Sequence, residues 1–262
     1  MAEAPVASLP KGLAAFDLAG HVALITGASS GIGRSFARAI VEAGGKVVMA
    51  ARREERLQEM VGELGADNAA YVVADVGDLD SLPAMAAAAR KPFGDPDIVV
   101  NVAGNTVRKA AEDLSPAEFL AVIQVQLMAP LHVAQQFHPA MKAKGWGRVI
   151  NIGSITTSHA LPGTTAYAAC KSGVAGLTRA MAKDWGPDGI TANAICPGFF
   201  PTKLTQPVVD DAKRWQNNAD RTFLGRNGVT EDMHGALIML CSEAGRYMSG
   251  QMIYVDAGFT AN

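Results

Sequence analysis

A short apolar run that leads into a glycine-rich turn, VALITGASSGIG at residues 22–33, decides the fold of this chain. The run is apolar and β-branched, as a strand covered on both faces must be, and an amphipathic helix is predicted from about Arg34. A tight turn without Cβ atoms, between a strand and a helix, lets backbone N–H groups and the positive helix end approach a diphosphate. Its Gly-x-x-x-Gly-x-Gly spacing, taken alone, also suits an ordinary strand-to-helix turn. The candidate dinucleotide-binding residues of the turn are Gly27, Ser29, Ser30, Gly31, Ile32 and Gly33.

Six further apolar runs follow, separated by amphipathic stretches long enough for crossover helices. They lie at residues 46–51, 69–74, 97–101, 148–152, 190–195 and 251–255. This alternation predicts an α/β fold, a single-domain Rossmann-type doubly wound parallel sheet of about seven strands with helices on both faces. No Ser- or Pro-rich linker divides the chain, so we predict a flexible arm over residues 1–15 and one domain over residues 16–262.

Two stretches depart from this rhythm. Ser115-Pro116-Ala117-Glu118 is typical of a helix start, and it is predicted to open a long helix towards Lys144. The segment of residues 197–230 is too long for an ordinary connection between a strand and a helix, and it carries several aromatic side chains. Long loops of this kind are usually lids or binding loops, and we interpret residues 198–229 as a substrate flap.

Composition excludes several classes of protein. Hydrophobic residues make up 49% of the 262 residues and charged residues 18%, which is typical of a globular core rather than disorder. A formal net charge of -2 offers no basic field for nucleic acid. The three cysteines are too few and too scattered for a disulfide framework or a zinc site, so we expect a cytoplasmic protein without a bound metal. No run approaches 18 uninterrupted apolar residues, so we expect no membrane insertion.

The end of the second apolar run points to the type of dinucleotide. An NAD-binding protein carries a carboxylate there for the ribose 2′-hydroxyl, but this chain reads Ala50-Ala51-Arg52-Arg53. A guanidinium at this place pairs with a 2′-phosphate, which favours NADP, although NAD stays possible. We prefer Arg52 as the phosphate ligand, because Arg53 also reads as the start of a solvated helix.

Tyr167 and Lys171 are four residues apart in a predicted helix and therefore share one face of it. A nearby ammonium favours the phenolate and lowers the tyrosine pKa, which suits proton exchange with an alcohol or carbonyl oxygen. Such a pair is frequent by chance. Ser154 makes it more specific, because it closes the fifth predicted strand, and the carboxyl ends of strands are where open α/β sheets bind ligands.

From about Leu18 to the C-terminus, the chain resembles the short-chain dehydrogenase/reductase family, because these motifs stand in the order and spacing of that family. The resemblance implies that Ser154 orients the substrate carbonyl, that Tyr167 is the acid/base, and that Lys171 holds the nicotinamide ribose and lowers the tyrosine pKa. It also implies cofactor contacts beside the adenine, after the fourth strand and at the carboxamide. These contacts come from Asp75, Val76, Asn101, Ala103, Gly104, Pro197, Gly198 and Thr202.

One catalytic position departs from the family pattern. Members usually carry an asparagine in the long helix, where this chain reads Val125-Gln126-Leu127. Gln126 keeps the amide but adds a methylene, so it shifts the water-mediated proton path to Lys171, or leaves the path intact if the helix kinks differently.

The resemblance implies an NADP(H)-dependent enzyme that interconverts a ketone and a secondary alcohol, assembled as a homotetramer. Strings such as Arg108-Lys109 look like the gluconate 5-dehydrogenase branch, which implies a small sugar acid or polyol as substrate. Phe199 and Phe200 in the flap favour a more apolar ketone, and a 3-oxoacyl thioester is the other enzymatic alternative. From another class, a non-catalytic nucleotide-sensing protein stays open, although such a protein is expected to lose Tyr167 or Lys171.

Overall fold

A single parallel sheet forms the centre of the computed structural model, which describes residues 12–261. Its seven strands are β1 (Val22–Thr26), β2 (Lys46–Ala51), β3 (Ala69–Val73), β4 (Ile98–Asn101), β5 (Gly147–Ile152), β6 (Ile190–Pro197) and β7 (Met252–Val255). Their order is β3-β2-β1-β4-β5-β6-β7, and every neighbouring pair is parallel. The predicted doubly wound parallel sheet is confirmed.

Helices cover both faces of this sheet. They are α1 (Gly31–Glu42), α2 (Glu54–Leu64), α3 (Leu82–Ala89), α4 (Pro116–Ile123), α5 (Ala129–Lys144), α6 (Thr165–Trp185), α7 (Gln206–Val209), α8 (Ala212–Asp220) and α9 (His234–Cys241). Alternate residues of β1 enter two separate cores: Ile25 packs with Phe36 of α1 on one face, and Leu24 packs with Phe137 of α5 on the other. Period-two alternation between two apolar layers explains why each strand is apolar throughout.

The segment before β1 is only partly described. Residues 1–11 of the predicted arm lie outside the described residues. Residues Gly12–Phe16 form a short 3-10 helix, and the burial of Ala15 shows that this helix packs against the rest of the protein.

The long helix begins where it was predicted. The Glu118 N–H donates to the Ser115 hydroxyl at 3.3 Å, and the Ser115 N–H donates to the Glu118 carboxylate at 3.0 Å, a reciprocal cap ahead of α4. The helix then widens into one π turn, Gln124–Met128, before α5. Pro130 has no N–H to give the Gln126 carbonyl four residues earlier, and its ring crowds that carbonyl, which favours the wider turn.

The same helical run, Pro116–Lys144, is long and apolar enough to cross a membrane by length and composition, with a mean hydropathy of 1.4 over its best 18 residues. The sequence expectation missed it because His132 and several glutamines interrupt the apolar residues. Val133 and Phe137 of this run pack in the core on one face of the sheet, and one third of the best 18 residues is buried. Length and composition are therefore weak grounds for a membrane span here.

Candidate active site

A cavity of about 850 Å³ opens at the carboxyl ends of the strands. It lies at the point where the strand order reverses direction, between β1 and β4, which is where open α/β sheets bind ligands. Most of the predicted site residues line it. They are Gly27, Ser29, Ser30, Gly31, Ile32, Arg52, Arg53, Asp75, Val76, Ala103, Gly104, Gln126, Ser154, Tyr167, Lys171, Pro197, Gly198 and Thr202.

Two predicted cofactor residues lie behind the cavity wall instead of in it. A Cβ atom at Gly33 would sit 2.7 Å from the Gly27 carbonyl oxygen, so this glycine permits close packing of α1 on the turn. Asn101 is buried, and its Nδ2 donates to Asn151 Oδ1 at 2.9 Å and to the Pro130 carbonyl at 3.1 Å. Both residues support the site from outside the wall of the cavity.

The glycine turn forms a cradle that a side chain would fill. Gly27 has a φ of 70°, in the left-handed region, and a Cβ atom there would lie 2.8 Å from N and Cα of Ala103. The next helix begins at Gly31, and its capping residue Ser30 makes no side-chain cap, so the first N–H groups of α1 are free to meet an anion. This open cradle at a helix N-terminus fits a diphosphate.

The two arginines after β2 line the cavity at the end where the sequence predicts the adenosine. Arg53 donates from Nη2 to the hydroxyls of Ser29 at 2.9 Å and Ser30 at 2.8 Å. Arg52 has a side chain that is 75% exposed and pairs with Asp75 at 3.4 Å. Arg53 therefore contacts the glycine turn, and the expectation that Arg52 binds the 2′-phosphate stays a prediction. Sequence spacing does not reveal which of two adjacent side chains folds back over a neighbouring turn.

Ser154, Tyr167 and Lys171 meet at the other end of the cavity. Ser154 follows β5, and its Oγ accepts a hydrogen bond from the Thr156 N–H at 3.1 Å. Lys171 is 5% exposed, and its Nζ donates to the Ile152 carbonyl at 2.6 Å. The same Nζ lies 5.4 Å from the centre of the Tyr167 ring. Helix α6 carries both residues one turn apart on the face that meets the end of β5.

Burial determines the protonation of this group. It raises the pKa of Tyr167 to about 12, although the Ser154 hydroxyl and the positive charge of Arg108 both lower that pKa. Burial likewise lowers the pKa of Lys171 from 10.5 to about 8. Lys171 is not among the groups that shift the Tyr167 pKa, so the expected lowering by Lys171 is not seen, and desolvation of the phenol outweighs the lowering by Ser154 and Arg108. Tyr167 is a neutral phenol and Lys171 an ammonium at pH 7.

Three buried oxygens in the cavity wall lack a hydrogen-bond donor within residues 12–261. They are Oε1 of Gln126, Oδ1 of Asn105 and Oγ1 of Thr156. Gln126 is 2% exposed, and its Nε2 donates to the Asn105 carbonyl at 2.5 Å, which leaves its oxygen free. Buried polar atoms are normally paired, so these oxygens fit the hydroxyl and amide donors of a bound dinucleotide. The residues present therefore fit such a cofactor.

Sequence reasoning missed two of these residues, Asn105 and Thr156. Their only signal was proximity, because Asn105 follows Gly104 and Thr156 stands two residues after Ser154. An asparagine or threonine in a loop is too common to single out without the fold that aims it into a cavity.

The end of the cavity beside Tyr167 carries positive charge. Arg108 lines it, is exposed, and makes no ion pair with any acidic side chain among residues 12–261. Among the described residues that line the cavity, Asp75, near Arg52, is the only acidic one. Phe199 adds an apolar wall and packs edge to face on Phe259, with ring centres 5.5 Å apart. This combination suits a small anion whose carbon skeleton rests against an aromatic ring.

Comparison with known proteins agrees with this geometry. A family model described as enoyl-(acyl carrier protein) reductase matches residues 27–260. The chain belongs to the short-chain dehydrogenase/reductase family. Gluconate 5-dehydrogenase of Gluconobacter oxydans (strain 621H) is 34% identical over 249 residues, which cover 94% of this chain and 97% of that protein. The 3-oxoacyl-(acyl-carrier-protein) reductase of Haemophilus influenzae is 33% identical, over 91% of this chain and 98% of that protein.

Solved structures of this family superpose over nearly the whole chain. A gluconate 5-dehydrogenase from Burkholderia cenocepacia J2315, in complex with NADP and tartrate, has a TM-score of 0.91 and 36% identity, over 95% of this chain and 98% of that one. A Pseudomonas aeruginosa protein in an NADP active-site complex has a TM-score of 0.88 and 32% identity, over 94% of this chain and 98% of that one. The relatives are dehydrogenases and reductases by name, and this chain is likewise a short-chain oxidoreductase.

Proposed function

We propose that this protein is an NADP(H)-dependent oxidoreductase that interconverts a ketone and a secondary alcohol on a small sugar acid. The observation that carries the proposal is the convergence of Ser154, Tyr167 and Lys171 on one cavity with the glycine turn. Bound NADPH supplies a hydride to the carbonyl carbon. The other steps belong to side chains of this chain.

In the reducing direction, the Ser154 hydroxyl donates a hydrogen bond to the substrate carbonyl oxygen and orients it. The Tyr167 phenol, whose pKa of about 12 keeps it protonated at neutral pH, delivers its proton to the same oxygen as negative charge develops there. Lys171 stays an ammonium below pH 8 and offers hydrogen bonds to ribose hydroxyls. Its positive charge favours the phenolate left after transfer.

Gln126 is proposed as a positioning residue for this group. Its Nε2 holds the Asn105 carbonyl, and a Cβ atom at Gly104 would lie 2.8 Å from that nitrogen. The amide thus fixes the loop after β4 against the π turn. Its unpartnered oxygen is free to accept a hydrogen bond from water or ligand inside the cavity, which is the contact the family asparagine is expected to make.

NADP is proposed over NAD because no acidic residue stands at the end of β2 and because Arg52 and Arg53 line the cavity there. A 2′-phosphate is expected to draw the Arg53 guanidinium into a charge-assisted pair beside the serines it already contacts. The NADP complexes of the similar structures support this choice.

A sugar acid is proposed because Arg108 lines the cavity and makes no ion pair among residues 12–261, and because a relative named for gluconate is 34% identical. A neutral polyol is the alternative within the same substrate class, and a relative named for galactitol supports it. A 3-oxoacyl thioester is the second candidate, favoured by the similarity to the Haemophilus influenzae reductase and by the apolar wall at Phe199. The two differ in a direct way, since only the acid places a carboxylate beside Arg108.

Steady-state turnover tests these proposals. We expect oxidation of gluconate with NADP, faster than reduction of acetoacetyl-CoA or of a simple aromatic ketone with NADPH. Arg108→Ala should raise KM for gluconate at least tenfold, because it removes a charged hydrogen bond, and should leave KM for the neutral ketone within twofold. Acetoacetyl-CoA as the only substrate turned over would replace the sugar acid by the thioester.

The whole-chain organisation is also a proposal. We propose one domain in which residues 198–229 act as a flap over the substrate, in a cytoplasmic homotetramer. The outer side of α4 and the π turn presents apolar side chains, with Leu120 and Met128 exposed in the isolated chain, and supports an assembly through this helix. Sedimentation at micromolar concentration should give four chains per particle, and a monomer would contradict the assembly.

A further inference from the structure

A second, smaller cavity of about 200 Å³ lies beside the first. Both cavities are lined by Gly198, Phe199 and Phe200, so one stretch of chain forms a wall between them. The other side of the second cavity is built by the flap after α8 and by the turn that follows β7. Water occupies about 30 Å³ per molecule in the liquid, so the space equals roughly six waters.

The polar groups around this cavity are satisfied, with one exception. Arg226 makes a bidentate pair with Asp232, at 2.6 and 2.9 Å. Asp256 accepts from the Gly258 N–H at 3.0 Å and from Thr260. Asn227 donates from Nδ2 to the Trp215 carbonyl at 2.8 Å, but its Oδ1 is buried without a donor within residues 12–261. An occupant that donates a hydrogen bond would satisfy this oxygen.

Charge selects the class of occupant. Arg226 and Asp232 neutralise each other, and Asp256 leaves one negative charge in the lining, so an anion is disfavoured. The remaining surface is apolar, from Leu224, Val255 and the Phe199 ring. A molecule with hydroxyl groups on a short carbon chain would donate a hydrogen bond to Asn227 Oδ1 and pack its carbons against these apolar side chains. This lining differs from the substrate cavity, where Arg108 attracts an anion.

We propose that this second cavity is a binding site for a small neutral polyol, separate from the catalytic cavity. The polyol gives one hydroxyl hydrogen to Asn227 Oδ1 and rests its carbon chain on Leu224 and Phe199. An occupant also braces the flap, because the Gly228 N–H donates to the Phe199 carbonyl at 2.9 Å and no side chain fits between Gly228 and the Phe200 ring. Gly228, near the end of the flap, is thus held directly against the shared wall at its start.

Calorimetric titration with xylitol tests the site, on the full chain saturated with NADPH, because the reduced cofactor cannot accept a hydride from an alcohol. We expect saturable binding to the wild-type protein. Leu224→Trp fills the cavity from a position that is 67% exposed and should therefore fold, and it should weaken binding at least tenfold. Asn227→Leu should weaken it roughly fivefold, as the loss of one neutral hydrogen bond does. Arg108→Ala, in the substrate cavity, is the matched control and should bind xylitol like the wild type.

The opposite pattern would overturn the proposal. If Arg108→Ala abolished xylitol binding and Leu224→Trp retained it, the polyol would bind in the catalytic cavity. If the wild type gave no saturable heat, the second cavity would hold only water. Amide hydrogen exchange gives an independent readout, since xylitol should slow exchange over residues 222–232 in the wild type and not in Leu224→Trp. These outcomes do not depend on turnover, so they are separable from failure of the proposed function.

Discussion

Replacement of Lys171 by methionine should change how the stability of the protein depends on pH. Burial lowers the pKa of this lysine from 10.5 to about 8, so the folded state holds its proton less tightly than the unfolded chain does. The penalty for the buried charge is complete below pH 8 and is released as the pH rises towards 10.5. A shift of this size corresponds to about 3 kcal/mol, at about 1.4 kcal/mol per unit of pKa.

The part of this release that is accessible to experiment is smaller but measurable. Between pH 7 and pH 9 the linkage relation gives a gain of about 1 kcal/mol in the free energy of unfolding of the wild type. Lys171→Met has no proton to lose, so the difference between wild type and variant should grow by this amount in favour of the wild type. The lost hydrogen bond to the Ile152 carbonyl adds an offset that varies little with pH, because a neutral amine also donates.

Urea unfolding at pH 7, 8 and 9, followed by tryptophan fluorescence at one protomer concentration, measures this difference. Lys213→Met, at an exposed position of α8, is the matched control and should give a flat difference from the wild type. Other groups that titrate in this range are common to all three proteins and cancel. A flat difference for Lys171→Met as well would mean that the ammonium is solvated, which would refute the buried arrangement of the site.

Three further changes test other parts of the cavity. Gly27→Ala places a Cβ atom 2.8 Å from the Ala103 backbone at a φ of 70°, so calorimetry should show a melting temperature lowered by several degrees, and an unchanged value would contradict the tight turn. Arg53→Ala should raise KM for NADPH at least tenfold and leave NADH unaffected, whereas Arg56→Ala should change neither. Gln126→Leu should speed amide hydrogen exchange over residues 103–106 and lower kcat, and Gln126→Asn should give intermediate values. Equal exchange in the wild type and both variants would refute the proposal that Gln126 holds the loop after β4.

The sheet was predictable from the sequence because each strand is covered on both faces. Continuous burial requires continuous apolar residues, and all seven predicted runs coincide with strands to within two residues. The cap at Ser115 was predictable because its signal is local. The short helices α7 and α8 of the flap were not, since they have four and nine residues and are largely exposed.

The site was predictable in its residue types and less so in its contacts. The order of Ser154, Tyr167 and Lys171 along the chain was enough to expect them together, because the ends of parallel strands meet at one edge. The direction of a side chain depends on neighbours that are distant in sequence. The contact of Arg53 with the serines, the burial that raises the tyrosine pKa, and the π turn at Gln126 all arise from such packing.

Turnover of the Tyr167→Phe variant tests the central claim most directly. The substitution removes one oxygen, and Tyr71→Phe, on a tyrosine far from the cavity that bonds to Glu54, is the matched control. With saturating NADPH and whichever ketone the wild type reduces fastest, kcat of Tyr167→Phe should fall by a factor of about 10² to 10⁴, the usual contribution of a general acid, while NADPH binding stays intact. Full turnover by this variant would contradict the proposal that the phenol supplies the proton.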